Sequence, residues 1–374
     1  MPSDACRVDA QRRLPRELLH WAQSGFCCSW RKAPGAPSGL PAPNSLSSKF
    51  TDMPLPKMRP MKPPALRPGD GVRVLSLASP VQAEFLRAGC DEIARLGFAA
   101  RADEATVLAN QSYFAGSAAC RRAALEAALA ETETRAIFCS RGGYGTTYLL
   151  DGLKVRAGGP KILLGSSDIT ALEIFLWQKF RWVTFYGPMV AMNFHRGAGA
   201  AHGYDRESLL RAITETESGW QLELRGESLV AGEAEGVLLG GCLTLVETSL
   251  GTNWELDPRA AGGAILVLED RGMKPYQVDR ALMHLKQAGK LEGVAGIVLG
   301  DFPECDPPQG GETVRDVARR ILEPLRVPLV WGAPVGHTER AALTLPLGVR
   351  ARLAVPPRAN AAATLEILEP ACTP

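Results

Sequence analysis

An α/β fold is predicted for this chain: an N-terminal parallel-sheet α/β domain, then a second, mixed β-rich α/β domain. Three observations predict it. Short apolar runs alternate with stretches of helical periodicity from Arg67 to about Asp205, a pattern that argues for parallel strands covered by helices. After Asp205 the pattern changes to alternating segments mixed with helices. Finally, Gly142, Gly143 and Ser167 each fall just beyond an apolar run, and open parallel sheets bind ligands beyond the carboxyl ends of their strands.

The elements follow in order. Strands are predicted over residues 72–78, 99–102, 136–139, 162–164 and 183–186. The helices between them cover 81–96, 117–130, 145–150 (a helix start) and 170–180. In the second half, helices are predicted over 207–215, 277–287 and 313–325. Strands are predicted there over 222–224, 234–239, 264–269, 296–300, 329–331 and 350–354. The implied division is a leader at 1–64, an N-terminal domain at 65–205, a linker region at 206–235 and a C-terminal domain at 236–374. The leader is rich in Pro, Ser and Arg and lacks sustained periodicity, so it reads as disordered or loosely attached. A protein starting at Met61 is expected to fold without it.

Composition excludes several classes. The 374 residues carry a formal net charge of +2, which gives no electrostatic footprint for nucleic acid. No apolar run approaches the roughly 18 residues of a membrane helix, and no uninterrupted apolar h-region marks a Sec-type signal peptide. The nine cysteines form no CxxC pair, which fits reduced thiols in a cytoplasmic protein and neither a disulfide framework nor a zinc ribbon. The five histidines never occur as HxxxH, so a helix-borne metal pair is absent. No metal and no organic cofactor is expected.

Four segments carry candidate chemistry, and each has a plainer reading. Ser140-Arg-Gly-Gly-Tyr-Gly145 follows a strand; its glycines permit close backbone approach to a ligand, or form an ordinary tight turn. It is no dinucleotide fingerprint, because Tyr148 stands at the last glycine position of G-x-G-x-x-G. In Gly165-Ser-Ser-Asp168 a strand turns sharply into a helix, a geometry that suits a nucleophilic serine beside backbone N–H groups; Ser and Asp also cap helices. Glu269-Asp270 ends an apolar run, where a carboxylate orients a histidine or pairs with Arg271 or Lys274 at the surface. His337, in Gly336-His-Thr-Glu-Arg340, lies in a loop between strands, the usual setting for catalytic groups and also for surface histidines.

Taken together these segments resemble the LD-carboxypeptidase family, serine peptidases that act on murein tetrapeptides; the microcin C7 self-immunity proteins share the pattern. The resemblance runs from about Leu66 to the C-terminus. It includes Gly69-Asp70, Tyr113-Phe-Ala-Gly116, Arg141-Gly-Gly-Tyr-Gly145, Gly165-x-Ser-Asp168, Phe185-Tyr-Gly-Pro-Met189 and Gly240-Gly-Cys-Leu243. Glu269-Asp270, Pro275-Tyr276, Asp279-Arg280, Gly336-His337 and Leu345-Pro-Leu-Gly348 complete it. It implies Ser167 as nucleophile, Glu269 as orienter and His337 as general base, in a cleft between the two domains. The Asp168 and Gly143 N–H groups are the expected oxyanion donors, and Arg141, Gly142 and Tyr144 the expected substrate contacts. Two positions depart from the family pattern: Cys242 stands where Asn is common, and Ser166 where a larger residue is common.

The implied partner is a small peptide, without nucleic acid or membrane, and a homodimer is compatible with the pattern. Two other readings remain open at this level. One is a hydrolase of peptidyl-nucleotides on the same fold, with Trp220, Trp254 or Trp331 stacking on adenine. The other is a non-enzymatic ligand-binding protein with two lobes.

Overall fold

The computed structural model describes residues 59–155, 159–357 and 362–374; most of the leader lies outside these. The first part of the chain forms β1 (Gly71–Leu75), α1 (Ala83–Arg95), β2 (Ala99–Ala102), α2 (Glu104–Val107), α3 (Ala118–Ala130), β3 (Thr134–Cys139), α4 (Thr147–Leu150), β4 (Ile162–Gly165), α5 (Thr170–Phe180) and β5 (Thr184–Tyr186). Then come α6 (Arg206–Thr214), β6 (Trp220–Glu223), β7 (Glu227–Val230), β8 (Gly232–Cys242), α7 (Leu243–Thr248) and β9 (Ala264–Glu269). The chain ends with α8 (Pro275–Gln287), β10 (Val294–Leu299), α9 (Val314–Leu322), β11 (Leu329–Trp331), β12 (Leu345–Leu347), β13 (Arg350–Val355) and β14 (Thr364–Ile367).

Two sheets result. The first has the order β12-β5-β4-β3-β1-β2; all its pairings are parallel except β12 on β5. The second has the order β6-β14-β13-β8-β9-β10-β11-β7. Its centre, β8 to β11, is parallel, and its flanks are antiparallel. The sequences explain the difference. Central β4 (ILLG) and β9 (AILVLE) are buried at every position, as parallel strands covered on both faces must be. Edge strand β6 (WQLE) alternates buried and exposed, as a half-solvated antiparallel strand does.

Several bounds differ from the sequence reading. Residues 206–235, read as a linker region, carry α6 and the two outermost strands of the second sheet, β6 and β7. Met61, within the span read as leader, donates its N–H to Arg181 O and accepts from Val183 N. Among the described residues no helix is long and apolar enough to cross a membrane.

One apolar cluster joins the sheets: Val74, Phe138, Leu164 and Phe185 of the first with Leu238, Val267 and Val298 of the second. Glycine allows the close approach where the sheets meet. A Cβ on Gly241 would lie 2.6 Å from Thr170 Oγ1, and the next residue, Cys242, donates its N–H to that same Oγ1 at 3.0 Å. The start of α5 is thereby tied to the carboxyl end of β8. The carboxyl ends of β3, β4, β8 and β9 converge there, the part of parallel sheets where ligands bind.

Candidate active site

Ser167 stands where β4 ends, opening a 3₁₀ turn (Ser167–Ile169) that runs into α5. A Cβ on Gly165 would press on the Ile169 side chain at 2.8 Å, so the sharp turn requires glycine there. Ser167 has φ +61°, a left-handed conformation that costs a non-glycine residue about 1–3 kcal/mol. It is held there by its neighbours. Its N–H donates to the Tyr186 hydroxyl at 3.2 Å, and the glycine turn after β3 covers its side chain. A Cβ on Gly142 would fall 2.7 Å from Ser167 Cβ, 2.9 Å from its Oγ and 3.3 Å from Asp168 N.

Asp168 is buried, and its carboxylate accepts from Thr146 N at 2.7 Å. This bond holds the loop after Gly145 against the start of α5. Burial raises the Asp168 carboxyl above its ordinary range, against the hydrogen bonds from Thr146 and the charge of Arg121. Arg121, itself buried, donates to Leu77 O and Gly145 O at 2.5 and 2.9 Å. On the other side of the turn, Ser79 N donates to Gly142 O at 3.2 Å. Across a trans peptide the N–H points opposite the carbonyl, so the Gly143 N–H points away from Ser79.

Glu269 closes β9 and is fully buried. One carboxylate oxygen accepts both the His337 backbone N–H and ring Nδ1, each at 2.8 Å. The other oxygen accepts the Tyr186 hydroxyl. Glycines make room: a Cβ on Gly300 would lie 2.5 Å from Glu269 Cβ, and one on Gly336, where φ is +65°, would overlap Glu269 Cδ. The loop bearing His337 is anchored through Asp301, which accepts from Thr338 Oγ1 and from Arg340 Nη2.

These contacts set the charge state. Burial pushes the Glu269 carboxyl up, but the His337 charge and the hydrogen bonds from His337 and Tyr186 outweigh it, so its pKa is lowered. For His337, burial disfavours the imidazolium, yet the charge and hydrogen bond of Glu269 prevail and the pKa is raised. Burial, then the Glu269 charge, keeps the Tyr186 phenol protonated and hence the donor. With Nδ1–H bound to a carboxylate, the His337 lone pair is on Nε2, the tautomer a general base needs.

The structure therefore brings Ser167, Asp168 and Gly142 together, and Glu269 and His337 together. Tyr186 joins the two groups through one hydroxyl. Among the described residues no hydrogen bond links Ser167 Oγ to His337; contacts of this kind often close only around substrate. Tyr186 had no role in the sequence reading, although it lies in the quoted Phe185–Met189 segment. Its one local signal is that it ends a buried strand.

Two adjoining cavities open here. A small one, about 90 Å³, is lined by Ser166, Gly336, His337, Glu304 and Glu339 among others. A larger one, about 380 Å³, is lined by Arg141, Arg196, His195 and Phe85 among others; the two share Met192, His202 and Arg271. Arg141 thus faces the larger cavity. Tyr144 lines neither; it joins an aromatic cluster with Tyr113, Phe114 and Tyr148, with ring centroids 5.9–6.0 Å from its own. The three candidate stacking tryptophans also line neither: Trp220 is buried in the core, Trp254 packs on two apolar clusters, and Trp331 stacks on Phe302 at 5.6 Å. Their apolar area is taken up by packing. Among the described residues no group of three or more His, Cys, Asp or Glu side chains is placed to hold a metal ion.

Comparison with known proteins agrees with this architecture. Residues 72–187 match the family model of the LD-carboxypeptidase N-terminal domain, and residues 235–353 that of the C-terminal domain. A Streptomyces coelicolor protein named as a carboxypeptidase is 38% identical over 301 residues, 78% of this chain and 93% of its own length. A Bacillus subtilis protein named as a murein peptide carboxypeptidase is 35% identical, over 78% of this chain and 91% of its own. The crystal structure of muramoyltetrapeptide carboxypeptidase from Oxalobacter formigenes superimposes with TM-score 0.68 at 28% identity, covering 80% of this chain and 99% of that one. The microcin C7 self-immunity protein, in complex with aspartyl sulfamoyl adenosine, shares the fold: TM-score 0.75 at 22% identity, covering 84% of this chain and 100% of that one. With both domain models matched in order and these relatives aligned along most of their length, the chain belongs to the LD-carboxypeptidase family of peptidases.

Proposed function

We propose that this protein is a serine LD-carboxypeptidase. It hydrolyses the bond to a C-terminal D-amino acid in murein tetrapeptides, within the cytoplasm, where such fragments are recycled. The observation that carries this reading is the chain of contacts from His337 through Glu269 and Tyr186 to the strained turn at Ser167. That chain gives a histidine an ionised, buried orienter and holds a serine at a strand end.

In this mechanism His337 Nε2 takes the Ser167 hydroxyl proton as Oγ attacks the carbonyl carbon of the diamino acid. Glu269 stabilises the imidazolium so formed. The carbonyl electrons move to oxygen, where the N–H groups of Asp168 and Gly143 are the donors. One such donor contributes about 3–4 kcal/mol to the transition state. Collapse of the intermediate breaks the C–N bond, His337 gives its proton to the departing amine, and an acyl-Ser167 ester remains. Water, deprotonated by His337, then hydrolyses the ester. Arg141 receives the terminal carboxylate, a match of guanidinium and carboxylate geometry. Gly142, packed against Ser167, flanks the scissile bond, whereas Tyr144, outside both cavities, takes no part in holding the peptide.

The deciding experiment incubates the protein with tetrapeptides ending in L-Lys-D-Ala and in meso-diaminopimelate-D-Ala, and follows free D-Ala by mass spectrometry. Release by the wild type, absent from Ser167→Ala, supports the reading. No release from either peptide refutes it.

A further inference from the structure

The larger cavity beside His337 has a one-sided charge. Arg141, Arg196 and Arg271 line it together with His195 and His202, and no Asp or Glu does. Arg271 is already engaged, since its Nε and Nη2 reach the Glu304 carboxylate at 3.2 and 2.5 Å. Arg141 makes a single bond, to Pro80 O at 3.2 Å. The Arg196 guanidinium has no hydrogen-bond or ion-pair partner among the described residues. The wall beside it is a stacked pair, His195 on Phe85, with ring centroids 4.5 Å apart. Both nitrogens of His195 are shielded from solvent without a hydrogen-bond partner. The cavity therefore offers two guanidiniums without a carboxylate of their own, and an apolar wall for a short aliphatic stem.

We infer that Arg196 forms an anion subsite for a second carboxylate of the substrate, the one at the side-chain end of the residue that precedes the scissile bond. This rests on the proposed function and extends it. The cavity shares Met192, His202 and Arg271 with the one containing His337, so a group held there is within about one residue of the reacting carbonyl. Two carboxylates of a murein tetrapeptide meet that condition when its diamino acid is diaminopimelate: the C-terminal one, which Arg141 receives, and the side-chain one. A lysine-containing peptide lacks the second. Arg196 thus selects between the two peptide chemistries, and guanidinium suits the task because it binds carboxylate through paired N–H groups and stays charged.

The test uses the full-length protein, Arg196→Gln and Arg196→Lys. Each is assayed on three peptides of the form L-Ala-γ-D-Glu-X-D-Ala, where X is meso-diaminopimelate, the same residue amidated on its side-chain carboxylate, or L-Lys. Wild type is expected to favour the free diaminopimelate peptide about tenfold or more in kcat/KM, chiefly through KM, the size expected of a charge-assisted hydrogen bond. Arg196→Gln should bring the ratio to within about twofold of unity, and Arg196→Lys should retain part of it. Equal wild-type rates on the three peptides, an undiminished preference in Arg196→Gln, or an equal fall on all three peptides overturns the subsite but leaves the proposed function standing. Absence of D-Ala release from every peptide overturns both.

Discussion

Replacing Tyr186 with Phe removes one oxygen and separates the two halves of the site. Tyr186 is fully buried, and its hydroxyl donates to Glu269 while accepting the Ser167 N–H at 3.2 Å. The substitution leaves a buried carboxylate and a strained turn each short of a partner. A hydrogen bond to a charged group contributes about 1.5–3 kcal/mol and an ordinary one about 1 kcal/mol, so stability should fall by about 2.5–4 kcal/mol. The protein should still fold, since domains are stable by about 5–15 kcal/mol. If half of that loss reappears in the transition state, kcat drops about 8- to 30-fold, with KM little changed because the buried Tyr186 lines neither cavity. The pH profile carries a second signature. His337 is a base only when neutral, and its pKa is raised. Activity therefore falls as pH decreases through a value above the ordinary imidazole value of about 6.5. Without the tyrosine donor the Glu269 carboxylate is less satisfied and holds the His337 proton more tightly, so this acid limb moves to higher pH. The assay is D-Ala release from a tetrapeptide between pH 5 and 9, alongside a thermal melt. A variant with a lowered melting temperature but wild-type kcat and an unmoved acid limb would refute the linkage and leave Tyr186 a packing residue.

Three further outcomes are expected. Ser167→Ala should lower turnover by several orders of magnitude, as removal of a triad member does, while Ser166→Ala keeps substantial activity; equal losses by D-Ala release would undo the assignment. Gly142→Ala should fold, because Gly142 is not at positive φ, yet lose activity about 100-fold or more, since misplacement of a reacting group by about 1 Å costs that much. Its Cβ would displace Ser167 Cβ, 2.7 Å away; an active variant with a normal melt would show that the turn does not touch the nucleophile. A tetrapeptide with a C-terminal amide should be cut at least tenfold more slowly than the acid, the loss expected for one charge-assisted contact, and Arg141→Gln should narrow that gap. Equal rates on acid and amide would rule out an exopeptidase.

Short-range pattern makes much of the molecule legible in its sequence. The strands over residues 99–102, 264–269 and 329–331 and the helix over 170–180 coincide with β2, β9, β11 and α5, because a continuous apolar run or a helical period is written in neighbouring residues. Glycine positions were legible for the same reason: Gly142, Gly165 and Gly336 sit in quoted motifs, and each proves to be a place where a Cβ has no room. Five elements escaped. α2, β7, β14 and the short α7 carry little period over 4 to 6 residues. β12 holds Pro346 in its three residues and exists as a strand only because it pairs with β5 at the edge of the first sheet, the one place a sheet tolerates proline.

The chain by itself determined which residues are able to do chemistry and where strands must end. Only the packing of two sheets decided which of them meet. Tyr186 lies 83 residues from Glu269, and Glu269 lies 68 from His337; no local preference encodes such a pairing. It arises because a shared apolar core presses the carboxyl ends of β4, β5 and β9 together, and burying Glu269 there obliges it to find donors. The same packing took Trp220, Trp254 and Trp331 away from the cavities and left Arg196 facing one.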